Sequence, residues 1–290
     1  MSDLSSWLEN TIGDFCAQST RNSLRYTEDE KAWGEPLVGF SSGADPLYPA
    51  IRSDIGDFFM TPLEIFNKAF PGIDASPDDL SVISWVLPQT ERTRADHRKE
   101  STWPSERWAR SRHYGEEFNV SLRRHVVEVL QSAGFAAVAP VLAPFWEWKT
   151  SERYGICSNW SERHAAHIAG LGTFGLCDGL ITPAGKAMRC GSVVARIGIR
   201  PTPRPYTHHR EYCLFHSRGI CGKCIKRCPV GALSEKGHDK NKCSDLVQKT
   251  ALEYVRDNYR IETYACGLCQ VGVPCESRIP SARQKDAEDA

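Results

Sequence analysis

This sequence has no net charge, no long apolar run and no recognisable export signal. Its 36 Lys and Arg residues balance 36 Asp and Glu residues, so it lacks the strongly basic surface of a general nucleic-acid binder. No run of eighteen apolar residues occurs, so no membrane-spanning helix is predicted. The first residues show neither a secretory nor a twin-arginine signal, and we therefore expect a cytoplasmic protein with reduced thiols.

Basic residues do form one local cluster, at Arg200, Arg204, His208, His209 and Arg210. Three nearby prolines, at positions 201, 203 and 205, indicate a stiff linker in this segment. We interpret the basic cluster as a solvated part of that linker rather than as a nucleic-acid site. Nucleic acid is therefore not expected among the partners.

Cysteine, in contrast, is abundant. Eight of the twelve cysteines lie between Cys213 and Cys275. The run C-G-K-C-I-K-R-C-P, from Cys221 to Pro229, matches the last three cysteines of the bacterial ferredoxin pattern C-x2-C-x2-C-x3-C-P. Arg218 occupies the place of the first cysteine in that pattern, and Cys213, five residues upstream, would replace it if the chain loops back.

The spacing of these cysteines predicts the ligands of two [4Fe-4S] clusters. In two-cluster ferredoxins the cysteine before the proline ligates the other cluster. Soft thiolate sulfur is the donor that such clusters require. The rule assigns one cluster to Cys213, Cys221, Cys224 and Cys275, and the other to Cys228, Cys243, Cys266 and Cys269.

Zinc sites and disulfides are the alternative uses of these cysteines. Two C-x2-C pairs can hold zinc with four thiolates, and eight thiols can hold two zinc ions. The C-x3-C-P spacing and the count of eight favour clusters. We expect the remaining Cys16, Cys177 and Cys190 to be structural.

The rest of the chain is predicted to form a mixed α and β domain. Apolar runs predict strands at 81–88, 135–141, 180–182 and 191–199. Helical periodicity predicts helices at 116–133, 161–169 and 244–258, with Ser161 as an N-cap. The charged stretch 96–112 is predicted to be a loop with short helical turns. We place domains at 1–205 and 206–280, followed by a disordered tail at 281–290.

A glycine-rich turn follows the predicted helix 161–169. Gly170-Leu-Gly172-Thr-Phe-Gly175 has the letters of the dinucleotide fingerprint, but that fingerprint follows a strand and opens a helix. Here it follows a helix and precedes a strand, so we exclude a nicotinamide site. The glycines serve either as a helix C-cap or as a place where backbone approaches a flat cofactor, and spacing leaves both interpretations open.

The segment S-E-R-H-A-A-H-I-A-G-L-G-T-F-G, from Ser161 to Gly175, resembles the E-R-x5-A-G-L-G-x-x-G segment of epoxyqueuosine reductases and corrinoid-dependent reductive dehalogenases. The strand ending at Pro88 and the stretch W-A-R-S-R-H-Y, from Trp108, also look like parts of that family. The cysteine module follows in the same order, so that the resemblance covers roughly residues 80–278.

The resemblance implies an α+β fold in which a nitroreductase-like α/β domain precedes a ferredoxin-like domain with two [4Fe-4S] clusters. It implies a reductase in which electrons pass from a ferredoxin or flavodoxin through both clusters to cobalamin and a small organic substrate. Flavin in the same pocket is an alternative cofactor. A second hypothesis is an electron-transfer protein that reduces the corrinoid of a partner, or another acceptor, and has no substrate of its own.

The resemblance also supplies the candidate site residues outside the cysteine module. Cys157, Gly170, Gly172, Thr173 and Gly175 are the candidates for cofactor binding. The candidates for the catalytic proton donor are Tyr154, Glu162 and His164.

Each of these candidates has a simpler interpretation. Glu162 suits the first turn of a helix, where the dipole favours an acid, and His164 is typical of a helix surface. Tyr154 suits simple packing, and Cys157 a small apolar contact. The aromatic and charged stretch 146–154 is either a buried lid or a surface that stacks on a planar ligand.

The sequence also departs from the family. Epoxyqueuosine reductases have a catalytic aspartate six residues before the position of Glu162, where this chain has Ile156. The helical repeats that follow the cluster module in that family are not found here. We therefore do not expect a tRNA substrate.

Overall fold

The computed structural model describes residues 3–27 and 30–281. The predicted disordered tail falls almost entirely on residues 282–290, which lie outside the described residues. No helix within the described ranges is long and apolar enough to cross a membrane.

The described helices are, in chain order, α1 (Leu4–Gln18), α2 (Leu47–Ile55), α3 (Pro62–Ala69), α4 (Glu91–Arg98), α5 (Glu106–Ser132), α6 (Glu162–Ile168), α7 (Leu214–Arg218), α8 (Lys223–Lys226), α9 (Lys240–Asp245) and α10 (Ala251–Tyr259). A π-helical turn at Leu246–Thr250 joins the last two into one helix, and short 3-10 turns occupy Pro77–Asp79, Pro140–Leu142 and Leu268–Gln270.

The described strands are β1 (Leu37–Ser42), β2 (Leu80–Pro88), β3 (Ala137–Val138), β4 (Trp148–Ser151), β5 (Gly155–Ser158), β6 (Thr173–Phe174), β7 (Leu180–Ile181), β8 (Met188–Arg196), β9 (Leu233–Ser234) and β10 (Gly237–His238). The fold is therefore a mixture of helices and sheets, as predicted.

The chain divides into two compact units. The first unit comprises the described residues up to Leu87, Tyr114–Leu171 and Arg189–Pro205. The second unit comprises Pro88–His113, Gly172–Met188 and the described residues from Tyr206 onward. The second unit thus includes two segments, 88–113 and 172–188, that were predicted to belong to the domain 1–205.

A four-stranded sheet organises the first unit, with the strand order β1-β2-β8-β3. β1 and β2 pair antiparallel, as do β3 and β8. All nine residues of β2 are buried, so both faces of this strand are covered. This explains why the sequence shows a continuous apolar run there rather than an alternating pattern.

Alternate side chains of the sheet contribute to two separate cores. Ile83, Trp85 and Leu87 pack into a core with α1 and α5, through residues such as Leu8 and Phe118. Leu80, Val82 and Val194 pack into a second core with α3 and α6. Successive side chains of a strand point to opposite faces, so helices cover the sheet from both sides.

The helix predicted at 116–133 is part of the longer α5, which begins at Glu106. The prediction of a loop at 96–112 was therefore wrong over much of its length, because α4 ends within it and α5 begins within it. The abundance of charge misled the interpretation, since an exposed helix face carries charges as readily as a loop does. The strand predicted at 135–141 is only two residues long.

The second unit holds its three segments together with backbone and side-chain contacts. The Lys186 backbone N–H donates to the Cys275 carbonyl at 2.9 Å, and the Tyr212 N–H donates to the Thr173 hydroxyl at 2.9 Å. The buried Glu276 carboxylate pairs with Arg98. These contacts explain why 88–113 and 172–188 cluster with the cysteine module. The helix predicted at 244–258 lies within the continuous helical stretch from α9 to α10.

Candidate functional site

The first group of cysteines is assembled by a reversal of the chain in the second unit. Cys213 is the N-cap residue of α7, and Gly219 ends that helix with a left-handed φ of 65°. Cys221 has a φ of 101°, which residues with side chains rarely adopt. The reversal brings Cys221 back to the pocket that Cys213 lines.

One pocket is lined by all four cysteines of the first predicted set, Cys213, Cys221, Cys224 and Cys275. The surrounding side chains are mainly apolar and include Leu176, Phe215 and Val273. The pocket therefore joins four thiols, of which Cys221 is exposed, with apolar side chains and the Lys186 side chain. That these thiols ligate iron stays a prediction.

In the second predicted set, neighbouring thiols shift one another's pKa values. Burial raises the pKa of Cys266 to about 11, and the charges of Cys243 and Cys228 act in the same direction. A hydrogen bond with Cys177, together with burial, raises the pKa of Cys269, and Cys266 adds to the shift. The Ala232 N–H donates to the Cys228 sulfur at 3.2 Å.

Cys177 and Lys186 lie between the two groups of thiols. The Cys177 thiol is hydrogen-bonded to Cys224 of the first group and to Cys269 of the second. These bonds and the Lys186 ammonium hold the pKa of Cys177 well below its ordinary value. The Lys186 Nζ lies 3.2 Å from the Cys177 sulfur, and Lys186 is 2% exposed. The prediction that Cys177 is merely structural therefore missed its contacts with both predicted ligand sets.

His97 contributes a buried imidazole beside the second group. Its ring stacks on Trp108 with a centroid separation of 4.2 Å, and its Nδ1 accepts a hydrogen bond from the Ser105 N–H at 3.2 Å. Its Nε2 is buried and has no hydrogen-bond partner among the described residues. The backbone of Cys266 and Gly267 is close enough to influence the pKa of His97.

The residues of the second unit include the soft thiol donors that iron–sulfur clusters require. They supply four thiols around one pocket, a second group of interacting thiols, a backbone N–H bonded to sulfur and an orphaned buried imidazole nitrogen. Buried polar atoms normally have a partner, and cluster sulfur accepts hydrogen bonds. Across residues 3–27 and 30–281 no three His, Cys, Asp or Glu side chains converge as they would around a single metal ion.

The predicted catalytic residues belong to the first unit. Tyr154 lies in the hairpin of β4 and β5, and its hydroxyl donates to the Asp54 carboxylate at 2.6 Å. His164 shares a hydrogen bond of 2.8 Å between its Nδ1 and the Ser161 hydroxyl and packs edge-on against Phe59. Each side chain thus has a local structural partner, and their catalytic roles stay predictions.

Glu162 has the most complete set of partners. The Arg123 guanidinium donates to both of its carboxylate oxygens, at 2.7 and 2.6 Å, and the Ser192 N–H donates to it at 3.1 Å. Burial raises the pKa of Glu162, although Arg123 opposes this shift. Ser161 is the N-cap of α6, as predicted. The geometry favours a structural ion pair for Glu162 over a free proton donor.

The chain's own backbone fills the space beside the first two predicted cofactor glycines. A Cβ atom on Gly170 would lie 2.9 Å from the Pro203 carbonyl oxygen, and one on Gly172 would lie 2.3 Å from the Ile181 carbonyl oxygen. Thr173 accepts its hydrogen bond from the Tyr212 N–H. These residues therefore have a packing reason that needs no cofactor.

The two remaining cofactor candidates also contact their own chain. A Cβ on Gly175 would lie 3.4 Å from the Gly179 carbonyl oxygen. The Cys157 thiol faces the Lys149 carbonyl at 3.6 Å across the β4–β5 hairpin. None of these contacts identifies a corrinoid or a flavin site.

Comparison with known proteins gives relatives that match part of the chain. No protein-family model matches it. An epoxyqueuosine reductase of Bacillus anthracis is 31% identical over 119 residues, which cover 39% of this chain and 29% of the relative. One of Francisella cf. novicida is 30% identical over 132 residues, or 43% of this chain and 34% of the relative. This chain is similar to the epoxyqueuosine reductases. The resemblance predicted from the glycine turn and the cysteine module is thus confirmed, although the matched segments span about a third or less of each relative.

Solved structures give weaker matches. An epoxyqueuosine reductase from Bacillus subtilis has 17% identity and a TM-score of 0.48, covering 85% of this chain and 63% of that one. An epoxyqueuosine reductase with a bound tRNA-Tyr stem loop has 17% identity and a TM-score of 0.45, covering 83% and 61%. A catabolic reductive dehalogenase has 15% identity and a TM-score of 0.46, covering 84% and 30%.

Proposed function

We propose that this protein is an iron–sulfur oxidoreductase whose second unit holds two [4Fe-4S] clusters. The observation that carries the proposal is the pocket lined by Cys213, Cys221, Cys224 and Cys275, which brings the distant Cys275 to three cysteines of one segment. The similarity to epoxyqueuosine reductases supports a reductase. When bound, the clusters would supply one-electron transfer.

The chain's own residues prepare this site in three ways. Apolar side chains surround the buried Cys213 and Cys224 of the first group. The Ala232 N–H bonds the Cys228 sulfur, and a hydrogen bond of this kind stabilises a ligating thiolate. His97 lies near the backbone of Cys266 and Gly267 and offers a buried Nε2, which can carry an N–H group.

The acceptor of the electrons is proposed to be a small organic molecule, with a ferredoxin or flavodoxin as the donor. Cobalamin is the cofactor that the resemblance implies, and flavin is the alternative. The residues predicted to hold either one contact their own chain instead. These contacts account for the residues without a cofactor, and we derive no step through one.

Iron content tests the proposal directly. Protein purified without oxygen should contain about eight iron and eight sulfide ions per chain, as two four-iron clusters require. Cys224→Ser and Cys266→Ser should each remove about half of the iron, because they belong to different predicted sets. Zinc in place of iron would overturn the proposal, since zinc has no redox chemistry.

Cys16→Ala is the matched control for these variants. Cys16 is buried in the apolar core of the first unit, and burial raises its pKa to about 12, so its thiol is not expected to ligate metal. The variant should retain all of the iron. Adding cobalamin to the loaded protein and recording its visible spectrum then tests the corrinoid that the resemblance implies.

An electron-transfer protein without its own substrate is the second candidate. The replacement of the family's aspartate by Ile156 and the occupied carboxylate of Glu162 favour it. Tyr154→Phe separates the two candidates. In an enzyme that uses this hydroxyl as its proton donor, the variant reduces its clusters normally but loses turnover, whereas an electron-transfer protein keeps its rate of acceptor reduction.

One similar solved structure contains a bound tRNA stem loop. This finding stands against the expectation that nucleic acid is not a partner of this chain. In this chain Arg204 pairs with Asp45, and Arg210 contacts His216 at 3.0 Å. These contacts occupy two residues of the basic cluster. We propose that tRNA is not the substrate, and a filter-binding assay with an unmodified tRNA-Tyr stem loop tests this.

A further inference from the structure

Lys186 is a buried positive charge in the pocket of the first cysteine group. Its side chain is 2% exposed and lines the pocket together with Cys213, Cys221, Cys224 and Cys275. Its Nζ contacts the Cys177 sulfur at 3.2 Å. Among the described residues, no carboxylate forms an ion pair with it.

A buried ammonium without a carboxylate is unfavourable unless another anion compensates it. The Cys177 thiol, 3.2 Å from the Lys186 Nζ, is one group that can become anionic, and the thiols of the first group become anionic when they bind iron. The Lys186 charge lowers the pKa of Cys224 and Cys275 in the first group and of Cys269 in the second, and Lys186 lines the pocket of the first group. The ammonium is therefore placed to act more strongly on the first group than on the second.

We propose that Lys186 is a fixed positive charge that raises the reduction potential of the cluster held by Cys213, Cys221, Cys224 and Cys275. The inference rests on the proposed iron–sulfur function. One electron from the protein donor adds one negative charge to the cluster, while no bond forms or breaks and no proton moves. A neighbouring ammonium stabilises the more negative, reduced form, because net charge and hydrogen bonding to sulfur set cluster potentials. Lys186 thereby makes the first cluster easier to reduce than it would be without this charge.

The test compares the reduction potentials of both clusters in wild type, Lys186→Met and Lys186→Arg. An anaerobic redox titration followed by electron paramagnetic resonance measures them. In Lys186→Met the equilibrium constant for one-electron reduction of the first cluster should fall at least tenfold, or 59 mV. Lys186→Arg keeps the charge and should keep most of the potential. The second cluster should change less in both variants.

Lys226→Met is the control for a general loss of charge. Lys226 lies in α8, in the same cysteine segment, but is exposed, and water screens an exposed charge. Its removal should leave both potentials close to wild type. A first-cluster potential that is unchanged in Lys186→Met at full iron content would overturn the proposal. An equal fall in Lys226→Met would do the same.

Two outcomes distinguish this proposal from the function on which it rests. Wild-type protein without iron refutes the iron–sulfur function, and the role of Lys186 with it. Wild-type protein with about eight irons per chain, as two clusters require, but with an unchanged potential in Lys186→Met, refutes only the role of Lys186.

A measurement on wild-type protein decides the matter if the Lys186 variants fail to assemble clusters. Protein labelled with 15N at the lysine Nζ is loaded and reduced, and pulsed electron paramagnetic resonance then detects nitrogen nuclei near the cluster spin. A 15N coupling to the first cluster is the expected result. Its absence would show that no lysine ammonium contacts the reduced cluster and would overturn the proposal.

Discussion

Arg123 carries a buried charge that two carboxylates neutralise. Its side chain is 1% exposed, and it pairs with Glu162 and, at 3.0 Å, with Glu116. Glu162→Gln removes one of these negative charges and leaves the guanidinium buried. We expect the free energy of unfolding to fall by about 3 kcal/mol, as when one partner of a buried ion pair is removed. Urea unfolding monitored by circular dichroism measures this change.

Glu117→Gln provides the control for the Glu162 variant. Glu117 pairs with Arg25 at 2.7 Å, but both side chains are about half exposed, and such surface pairs contribute less than about 1 kcal/mol. Wild-type stability in Glu162→Gln would contradict the structural role of the ion pair. Loss of turnover in that stable variant would then support the predicted catalytic role.

The lowered pKa of the buried His97 should make the free energy of unfolding depend on pH. Burial lowers its pKa to about 3, and the charge of Arg227 acts in the same direction. An unfolded histidine titrates near 6.5. Because the folded pKa is the lower one, the stabilising contribution is full above pH 6.5 and is lost as the pH falls below it. The slope reaches about 1.4 kcal/mol per pH unit for one proton.

Unfolding of the loaded protein at several values between pH 5.0 and 7.5 measures this dependence. His97→Gln should flatten the profile, whereas His208→Gln, at an exposed position, should leave it unchanged. A wild-type profile as flat as that of His97→Gln would show that burial of this imidazole does not control the acid sensitivity.

At the scale of elements, the close approach at Gly172 connects the turn to the β6–β7 pair. Thr173 of β6 lies opposite Ile181 of β7, and a Cβ on Gly172 would lie 2.3 Å from the Ile181 carbonyl oxygen. Gly172→Ala must therefore move one of these strands. We expect a loss of about 1–3 kcal/mol, the usual range for overpacking, measured by thermal unfolding.

Gly13→Ala is the matched control in a different element. Gly13 lies within α1, and nothing lies within 4 Å of a Cβ at this position. Alanine favours a helix interior over glycine by about 0.5–1 kcal/mol. This variant should therefore be slightly more stable than wild type. If Gly172→Ala behaved in the same way, the close approach would not constrain the turn.

At the scale of the whole molecule, the two units should respond differently to the loss of iron. The first unit has cores on both faces of its sheet, whereas cysteines form much of the core described for the second unit. Where metal binding and folding are coupled, metal removal unfolds the part that it holds. Chelation of iron should therefore increase amide hydrogen exchange within 206–281 far more than within the sheet of the first unit.

Mass spectrometry of deuterated peptides makes this comparison for the loaded and the iron-free protein. Iron-free Cys16→Ala should show the same division as iron-free wild type, because Cys16 belongs to the first unit. An equal increase of exchange in both units would show that the iron site stabilises the molecule as one cooperative body, contrary to the prediction.

The sequence alone determined the features that depend on local pattern. The apolar run at 81–88 predicted the buried strand β2, and Ser161 predicted the start of α6, because periodicity and N-capping act over a few residues. Cysteine spacing predicts two sets of four thiols, and their role as cluster ligands stays a prediction. The motif at 161–175, together with the order of the cysteine module, predicted the similarity to epoxyqueuosine reductases, which is confirmed over parts of the chain.

Only the tertiary structure decided which side chains lie close together. No spacing rule connects Lys186 or Cys177 with the thiols of the cysteine module, because a lysine and an isolated cysteine have no sequence pattern of their own. Their contacts arise when the segment 172–188 packs into the second unit. Glu162 fitted a catalytic pattern in the sequence, but its partner Arg123 lies thirty-nine residues earlier. Burial and charge pairing are properties of the packed chain, and they decided the surroundings of both residues.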